Sequence, residues 1–460
     1  MTQSKKEISD RREARNTKDN RWQKIFSDAS SRLTNHFPIA GARCLNSIIL
    51  PLLSNPLITD IARHCNRRIV RRIKSFRRFL VISDIHIGDG VFLQSVLTGL
   101  RDFFPDAQVD YLVGKAVYPL IIGNPEATTV YPIFFGDGPY PPTESLKALH
   151  ELYSKEKYDL CLNLCPFIRN RDITPDGRGV LNFKTHAPTL LRNERKPGPI
   201  NHFGYQNYRF TRDWLSQVAT PVRTESFQGV RVTLSDSAVE QAARFVTDAG
   251  LAPGLPIILY NPDTASRFTL MPFDSQVDFL LRLSQFPVSI LLGEGHTEAG
   301  IGVRLKVALP ASLREKVSIV PAVLPLDAYS ALIDRCDVFI SGDTGPLHIA
   351  AARKFSASGR RAFRNRTAVL SIFGATPARM SGYDSLQPGY LPANQDAPSW
   401  CYAAKSPCRN ITCLNKMYKT CPKVRCFEEM DIAGMADRIR GYLDTLVTQE
   451  AFGHGAASGR

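Results

Sequence analysis

The chain has 460 residues, with 58 Lys plus Arg against 43 Asp plus Glu and a formal net charge of +15. A hydrophobic fraction of 43% and a charged fraction of 22% are typical of a folded globular protein and exclude wholesale disorder. The most apolar stretch, residues 44–58, is interrupted by polar residues and prolines, so we expect no transmembrane helix. The polar, charged start predicts a cytoplasmic protein rather than a secreted one.

The positive charge is concentrated at one end of the chain. Residues 1–78 contain 18 Lys plus Arg and 6 Asp plus Glu, whereas the other 382 residues are nearly balanced. Apolar residues lie among the cations of 67–78, a pattern that suits an anionic membrane surface. A solvated arm without a partner is the alternative. No zinc-finger, RRM or helix-turn-helix signature accompanies the arm, so nucleic-acid binding is not expected.

In chain order, the first half beyond this basic extension alternates strands with helices. A helix is predicted over 91–104 from the spacing of its apolar residues, between the first two strands. The strand candidates are short, rich in Val, Ile, Leu and Tyr, and bounded by turn residues; they are 79–85, 108–114 and 158–164.

The second half repeats the alternation. Helices are predicted over 275–284 and 326–335, and an amphipathic helix over 431–447. The predicted strands are 256–261, 288–293, 317–320, 337–341 and 368–374. Strands that are apolar on both faces and alternate with helices indicate parallel sheets.

This pattern occurs on both sides of a polar stretch near 193–235, and it predicts two Rossmann-like domains that face each other across a cleft. The resulting division of the chain is a basic extension, a first Rossmann-like domain, a second one containing a Cys-rich segment (401–426), and a C-terminal helix and tail; the bounds are 1–78, 79–235, 236–430 and 431–460. Ligands of open α/β sheets bind beyond the carboxyl ends of the strands, so the cleft is the expected site.

The first candidate motif is Gly88-Asp89-Gly90, at the turn from the first strand into a helix. The glycines allow a ligand to approach the backbone, and a carboxylate here suits general-base chemistry. Alternatively, Asp89 only caps the helix, since Asp is a favoured capping residue. Asp84 and His86 are rival candidates for the same role.

The second motif, residues 341–352 (SGDTGPLHIAAA), is the stronger one. A strand ends at Ser341 and Pro346 suits the first turn of a helix. The N–H groups at that helix start would bind a diphosphate, and His348 is close enough to donate to the same phosphates. Asp343 would repel a phosphate, so it suits the hydroxyl groups of a sugar.

With these two motifs, the sequence resembles glycosyltransferase family 9, the heptosyltransferases of lipopolysaccharide inner core and related glycans. The resemblance is carried by the first strand-loop-helix, a small polar loop, a glycine-rich turn followed by an acid, the DTG-P-x-H motif and FGATP; these segments lie within about 79–380. It implies an α/β protein with the GT-B fold, and metal-independent, inverting transfer from ADP-heptose or another nucleotide sugar, with no cofactor required.

The resemblance also implies roles for individual residues. Asp89 matches the general base on the acceptor hydroxyl group, and the acid of the glycine-rich turn matches Glu298, with Glu294 nearly as well aligned. The remaining matches are to donor-binding positions; they are Thr264, Ser266 and Arg267 in the polar loop, and Asp343, Thr344, Gly345 and His348 in the DTG motif. The acceptor would be a glycan or glycolipid at the cytosolic face of the inner membrane, with the basic extension on the anionic lipid surface.

Two other readings of the whole chain stay open at this point. One is a GT-B enzyme with another nucleotide-sugar donor, including an epimerase. The other is an inactive scaffold that binds glycan or membrane.

Three segments depart from the family pattern: the basic extension 1–78, the residues that follow Arg267, and the basic segment 353–366. The basic segment 353–366 stands where a short turn is expected, and it would form a disordered surface loop or bind an acidic acceptor. Five cysteines without a C-x-x-C pair fall in 401–426. Such spacing favours packed, reduced thiols over a structural metal site; the alternative is a metal or iron site formed by Cys401, Cys408, Cys421 and Cys426.

Overall fold

A computed structural model shows two α/β lobes, each built on a parallel sheet. The residues that the structure describes are 76–83, 86–133, 142–165, 168, 170–174, 179–182, 200, 202–227, 229–264, 266, 268–295, 300–356, 367–393, 397–404 and 426–453. Nearly all of the basic extension 1–78 therefore lies outside the described residues. No helix within the described ranges is long and apolar enough to cross a membrane.

The front lobe has a five-stranded sheet of order β3-β2-β1-β4-β5. Its strands are β1 (Arg78–Ile82), β2 (Gln108–Gly114), β3 (Thr129–Ile133), β4 (Leu160–Asn163) and β5 (Val180–Asn182). Its helices are α1 (Ile87–Phe92), α2 (Ser95–Arg101), α3 (Tyr118–Ile121), α4 (Thr143–Glu156), α5 (Asn170–Ile173) and α6 (Phe203–Leu215). Every neighbouring pair of strands is parallel, as the apolar runs predict.

The predicted helix over 91–104 is wrong in one respect, because two short helices, α1 and α2, take its place. The chain turns at Leu93 and Gln94 between them. The buried Gln94 side chain donates from Nε2 to the Val91 carbonyl oxygen at 2.8 Å. A side-chain bond of this kind to the last turn competes with continuation of the helix.

The rear lobe has a six-stranded parallel sheet of order β13-β12-β10-β7-β8-β9. Its strands are β7 (Ile257–Asn261), β8 (Ser289–Gly293), β9 (Val317–Val320), β10 (Val338–Gly342), β12 (Ala368–Phe373) and β13 (Ser399–Ala403). Its helices are α7 (Asp236–Asp248), α8 (Phe273–Leu283), α9 (Ile301–Ala308), α10 (Ala311–Arg314), α11 (Leu326–Ile333), α12 (Gly345–Ala351), α13 (Ala378–Ser381) and α14 (Ile432–Gly453).

A two-stranded parallel sheet joins β6 (Arg231–Leu234) to β11 (Arg353–Ser356). The expectation that 353–366 is a surface loop is therefore wrong for its first four residues, and the rest of that segment lies outside the described residues. A Cβ atom built on Gly123, which follows α3, would lie 2.6 Å from the Thr233 side chain of β6. The small sheet therefore contacts the front lobe as well as carrying a strand of the rear lobe.

One hydrophobic core runs through both lobes. It includes Phe79 and Val109 of the front sheet and Leu259 and Phe339 of the rear sheet. A second cluster fills the outer side of the rear sheet, where α14 buries Met435, Ala436, Ile439 and Leu443. The helix predicted over 431–447 is confirmed and extends further, and its apolar face packs against α8.

Candidate active site

The front motif lies where β1 ends and α1 begins. His86 stands at the helix start with extended backbone, and its side chain makes no capping hydrogen bond. Asp89 is the third residue of α1, so it lies in the first turn and not at the capping position proposed as an alternative. Its side chain is 41% exposed, and its Oδ2 lies 3.7 Å from His86 Nδ1. Asp84 lies outside the described residues.

The rear motif occupies the equivalent place at the end of β10. Thr344 precedes α12 with extended backbone, and its side chain does not cap the helix. Asp343, Thr344 and Gly345 are all partly exposed, whereas the rest of α12 from Leu347 onward is buried. The DTG triplet is thus the accessible part of an otherwise buried turn.

The two motifs contact each other across the interface between the lobes. A Cβ atom built on Gly345 would lie 2.8 Å from Ile87 Cβ, and one built on Gly88 would lie 2.5 Å from His348 Cδ2. Real Cβ atoms do not approach other atoms so closely, so α1 and α12 pack together only because these positions are glycine. The predicted juxtaposition of the carboxyl ends of the two sheets is present.

His348 is buried within this contact. Its Nδ1 lies 2.8 Å from Tyr383 Oη, and its ring meets that of Phe92 edge-on at 5.1 Å. Burial lowers the pKa of His348 to about 4, against a smaller opposing effect of Asp343. His348 is therefore neutral at physiological pH. The phosphate contact expected from the sequence would be a hydrogen bond from a neutral ring.

His202 is a second buried histidine at the interface, which sequence reasoning missed. Its Nδ1 accepts a hydrogen bond from the Gly204 N–H at 3.0 Å, at the start of α6. Its ring lies 4.7 Å from the ring of Tyr383. Burial, with a contribution from His348, lowers its pKa to about 3. Phe92, His202, His348 and Tyr383 form an aromatic cluster shared by both lobes, hereafter the interlobe cluster.

The polar loop after β7 is held by its own hydrogen bonds. Thr264 Oγ1 donates to the Ser266 carbonyl oxygen at 2.9 Å and accepts from Thr269 Oγ1 at 3.0 Å. The Thr264 methyl group packs over Gly342, where a Cβ atom would lie 2.8 Å away. These bonds fix the loop against the end of β10, beside the DTG motif. Arg267, the predicted phosphate cation, lies outside the described residues.

The glycine-rich turn after β8 places one of the two candidate acids. Glu294 Oε2 accepts a hydrogen bond from the Ala322 N–H at 2.9 Å. A Cβ atom on Gly302 would lie 2.3 Å from the Gly293 carbonyl oxygen, so α9 packs directly on this turn. Glu298, the preferred candidate from the sequence, lies outside the described residues.

The cysteine segment is described only at its ends. Cys401 and Cys426 are buried and form no disulfide, and burial raises the pKa of Cys401 to about 12. Cys408, Cys413 and Cys421 lie outside the described residues. Within the described ranges, no group of three or more His, Cys, Asp or Glu side chains is arranged to hold a metal ion.

Two facing lobes with parallel, Rossmann-like sheets, whose loop motifs meet between them, form an α/β fold of the GT-B type. Residues 234–418 match the family model described as glycosyltransferase family 9 (heptosyltransferase). The family resemblance of the sequence is therefore confirmed, and the matched region covers the rear sheet with the DTG motif. No curated protein matches the sequence of this chain.

Three solved structures are similar to this chain. The family 9 glycosyl transferase from Veillonella parvula is 16% identical, with a TM-score of 0.56 over 80% of this chain and 98% of that chain. The E. coli ADP-heptose lps heptosyltransferase II is 15% identical, with a TM-score of 0.47 over 76% of this chain and 99% of that chain. E. coli heptosyltransferase WaaC with ADP-2-deoxy-2-fluoro heptose is 15% identical, with a TM-score of 0.44 over 74% and 98%. At these identities the first of them supports the GT-B fold.

Proposed function

We propose that the protein transfers a sugar, heptose in the first instance, from a nucleotide-diphosphate donor to a hydroxyl group of a lipopolysaccharide-type or related glycan. The observation that carries the proposal is the contact between α1 and α12, which brings the turn of Asp89 against the DTG motif. The family 9 match supplies the reaction class. The transfer inverts the anomeric centre and needs no metal, as the family resemblance implies.

The donor binds to the rear lobe in this proposal. Asp343 accepts from sugar hydroxyl groups, while Thr344, Gly345 and His348 contact the diphosphate. The partial exposure of the DTG triplet supports this assignment, as does the absence of a capping bond from the Thr344 side chain. Hydrogen-bond donors fixed at the diphosphate stabilise the charge that develops on the leaving group.

The surrounding loops complete the donor site. Arg267 supplies the cation at the phosphates, and Thr264 and Ser266 keep the polar loop rigid beside it through the bonds described above. Glu298 contacts the nucleotide ribose. Glu294 is the alternative, and its bond to the Ala322 N–H leaves the second carboxylate oxygen for such a contact.

The front lobe supplies the base. The acceptor hydroxyl oxygen attacks the anomeric carbon from the face opposite the diphosphate, its proton passes to the Asp89 carboxylate, and the electron pair of the breaking C–O bond leaves with the phosphate. The Asp89 side chain is 41% exposed, which supports its access to the acceptor hydroxyl group. General-base catalysis of this kind contributes about 10²–10⁴-fold, and a transition state with oxocarbenium character is expected by analogy with glycoside hydrolysis.

The domain division and location follow from the same proposal. Residues 79–235 form the acceptor domain, 236–430 the donor domain with the Cys-rich segment, and 431–460 the C-terminal helix and tail. The basic extension 1–78 holds the enzyme on the anionic cytosolic face of the inner membrane, at roughly 1 kcal/mol for each cation near the surface.

A donor screen tests the proposal. ADP-heptose, GDP-sugars and UDP-sugars are added to the purified protein, and unfolding is followed by thermal shift, since a ligand at 100 times its Kd stabilises by about 2.7 kcal/mol. Sugar transfer is then measured with the donor that binds and with a lipopolysaccharide acceptor whose glycan is truncated within the inner core. Stabilisation by ADP-heptose with product formation is expected. Stabilisation by another nucleotide sugar alone would identify that sugar as the donor. If none of them stabilises the protein, the proposed activity is refuted.

A further inference from the structure

Tyr383 contacts the His348 ring directly and can therefore fix which ring nitrogen carries the proton. The Tyr383 hydroxyl oxygen is 2.8 Å from His348 Nδ1, and both side chains are buried. Tyr383 follows β12 and α13 in the chain, 35 positions beyond His348. The pair is therefore made by the fold of the rear lobe and not by local sequence.

The direction of this hydrogen bond follows from where the hydroxyl hydrogen can go. Among the described residues, Tyr383 Oη makes no hydrogen bond other than that to His348. If Nδ1 carried the imidazole proton and donated to Oη, the buried hydroxyl hydrogen would have no acceptor, at a cost of about 1–3 kcal/mol. The phenol therefore donates to Nδ1, and the proton of the neutral imidazole is on Nε2.

The Nε2 side of the ring faces the first turn of α1. A Cβ atom built on Gly88 would lie 3.2 Å from His348 Nε2, so this edge of the ring lies beside the backbone of the GDG motif. Gly88 is the neighbour of Asp89. Within the described part of the chain no acceptor bonds to Nε2, and this atom is not among the fully buried polar atoms that lack a partner, so its N–H can meet a ligand at the junction of the two motifs.

We propose that Tyr383 is a positioning residue that holds His348 as the Nε2–H tautomer, with this N–H presented to the donor diphosphate between the GDG and DTG motifs. The identity of the ligand rests on the proposed function, whereas the tautomer does not. A neutral donor of fixed orientation binds a phosphate oxygen without a charge having to be buried beforehand, which would be costly at this site. Without Tyr383 the ring is free to take the other tautomer and to present an acceptor to the phosphate.

The test compares two matched tyrosine variants of the full chain. Tyr383→Phe removes the bond to His348, and Tyr260→Phe removes a buried bond of the same length, 2.8 Å from Tyr260 Oη to Gln276 Oε1, in the core of the same lobe. Histidine ring ¹⁵N shifts report the tautomer, with the His348 signals assigned by their loss in His348→Gln. Calorimetry with ADP and ADP-heptose reports donor affinity.

We expect wild-type His348 to show the Nε2–H pattern, Tyr383→Phe to show a mixture of tautomers with about tenfold weaker ADP affinity, and Tyr260→Phe to match the wild type in both. A wild-type Nδ1–H pattern, or an unchanged pattern in Tyr383→Phe, would overturn the positioning role. Unchanged affinity with an altered tautomer would overturn the phosphate contact. If the wild type binds no nucleotide sugar, the proposed function fails, and the ring shifts still decide the role of Tyr383.

Discussion

Gly88 of the front lobe lies against the ring of His348 of the rear lobe, with no room for a side chain between them. A Cβ atom at this position would lie 2.5 Å from His348 Cδ2. The contact joins the first turn of one motif to the first turn of the other. It therefore couples the geometry of the proposed base to that of the proposed donor site.

Gly88→Ala should separate the two lobes at this point. Because the new methyl group overlaps a buried ring, we expect stability to fall by about 1–3 kcal/mol and transfer to fall with it. Gly441→Ala is the matched control, since Gly441 lies in α14 with nothing within 4 Å of its Cβ position. There alanine should stabilise by roughly 0.5–1 kcal/mol. Urea unfolding of both variants measures this, and equal effects would show that the interface tolerates the methyl group.

Asp89→Asn should abolish transfer and leave donor binding in place. The amide keeps the shape of the side chain but cannot accept the proton, so kcat should fall about 10²–10⁴-fold while the Kd for ADP stays within about twofold. Asp236→Asn, in the first turn of α7, is the control at a similar helix position. Loss of donor binding together with transfer would assign Asp89 a structural role.

Asp102→Ala should lower the free energy of unfolding by more than the loss of an exposed ion pair does. The buried Asp102 carboxylate accepts from Tyr208 Oη at 2.7 Å and from Ser226 Oγ at 2.6 Å, and it pairs with Arg212. Its removal leaves a guanidinium without its partner, which costs about 3–5 kcal/mol. Urea titration measures the loss.

The control for this variant is Asp437→Ala, at an exposed pair with Arg440 on α14. A pair of that kind contributes about 0–1 kcal/mol. A loss at Asp102 no larger than that at Asp437 would contradict the importance of the buried network.

The interlobe cluster should make the protein sensitive to acid. The folded pKa values of His202 and His348 are about 3 and about 4, below the ordinary 6.5, because both rings are buried. Below pH 6.5 the unfolded chain takes up protons at these rings and the folded chain does not. Stability therefore falls as the pH drops from about 6.5 towards 4, by roughly 1.4 kcal/mol per pH unit for each ring.

His202→Asn tests this dependence. The Asn side chain can still accept the Gly204 N–H that His202 Nδ1 accepts, because Asn is a favoured capping residue. The free energy of unfolding between pH 6 and pH 4.5 should then depend less steeply on pH in the variant, by about 1.4 kcal/mol per unit. Parallel curves for variant and wild type would show that His202 does not titrate on unfolding.

Sequence patterns predicted the central strands well, for a physical reason. Strands such as β8 and β10 are buried on both faces, so their residues form unbroken apolar runs. The strands that were missed lie at sheet edges or in the small sheet. β3 contains Pro132, β5 has three residues, and β11 begins with two basic residues. At such positions the residue types depend on tertiary contacts, so the alternation of apolar and polar residues does not reveal the strand.

For the candidate site, the sequence could single out only residues that are close together in the chain. Gly88, Asp89 and the DTG triplet lie in short turns, where the conformation and the function depend on neighbours in sequence. The interlobe cluster has no such signal. His202 comes from the start of α6 and Tyr383 from beyond β12, and only the packing of the two lobes brings their rings to 4.7 Å.

The small sheet of β6 and β11 has a mechanical consequence. Strand β6 is hydrogen-bonded to a strand of the rear lobe, and its Thr233 packs against Gly123 of the front lobe. The connection between the lobes is therefore fixed to both of them and is not a flexible linker. A movement that separates the lobes would have to disrupt either the β6–β11 hydrogen bonds or the contact between Thr233 and Gly123. We therefore expect the two lobes to move relative to each other only by small rotations as substrates enter and products leave.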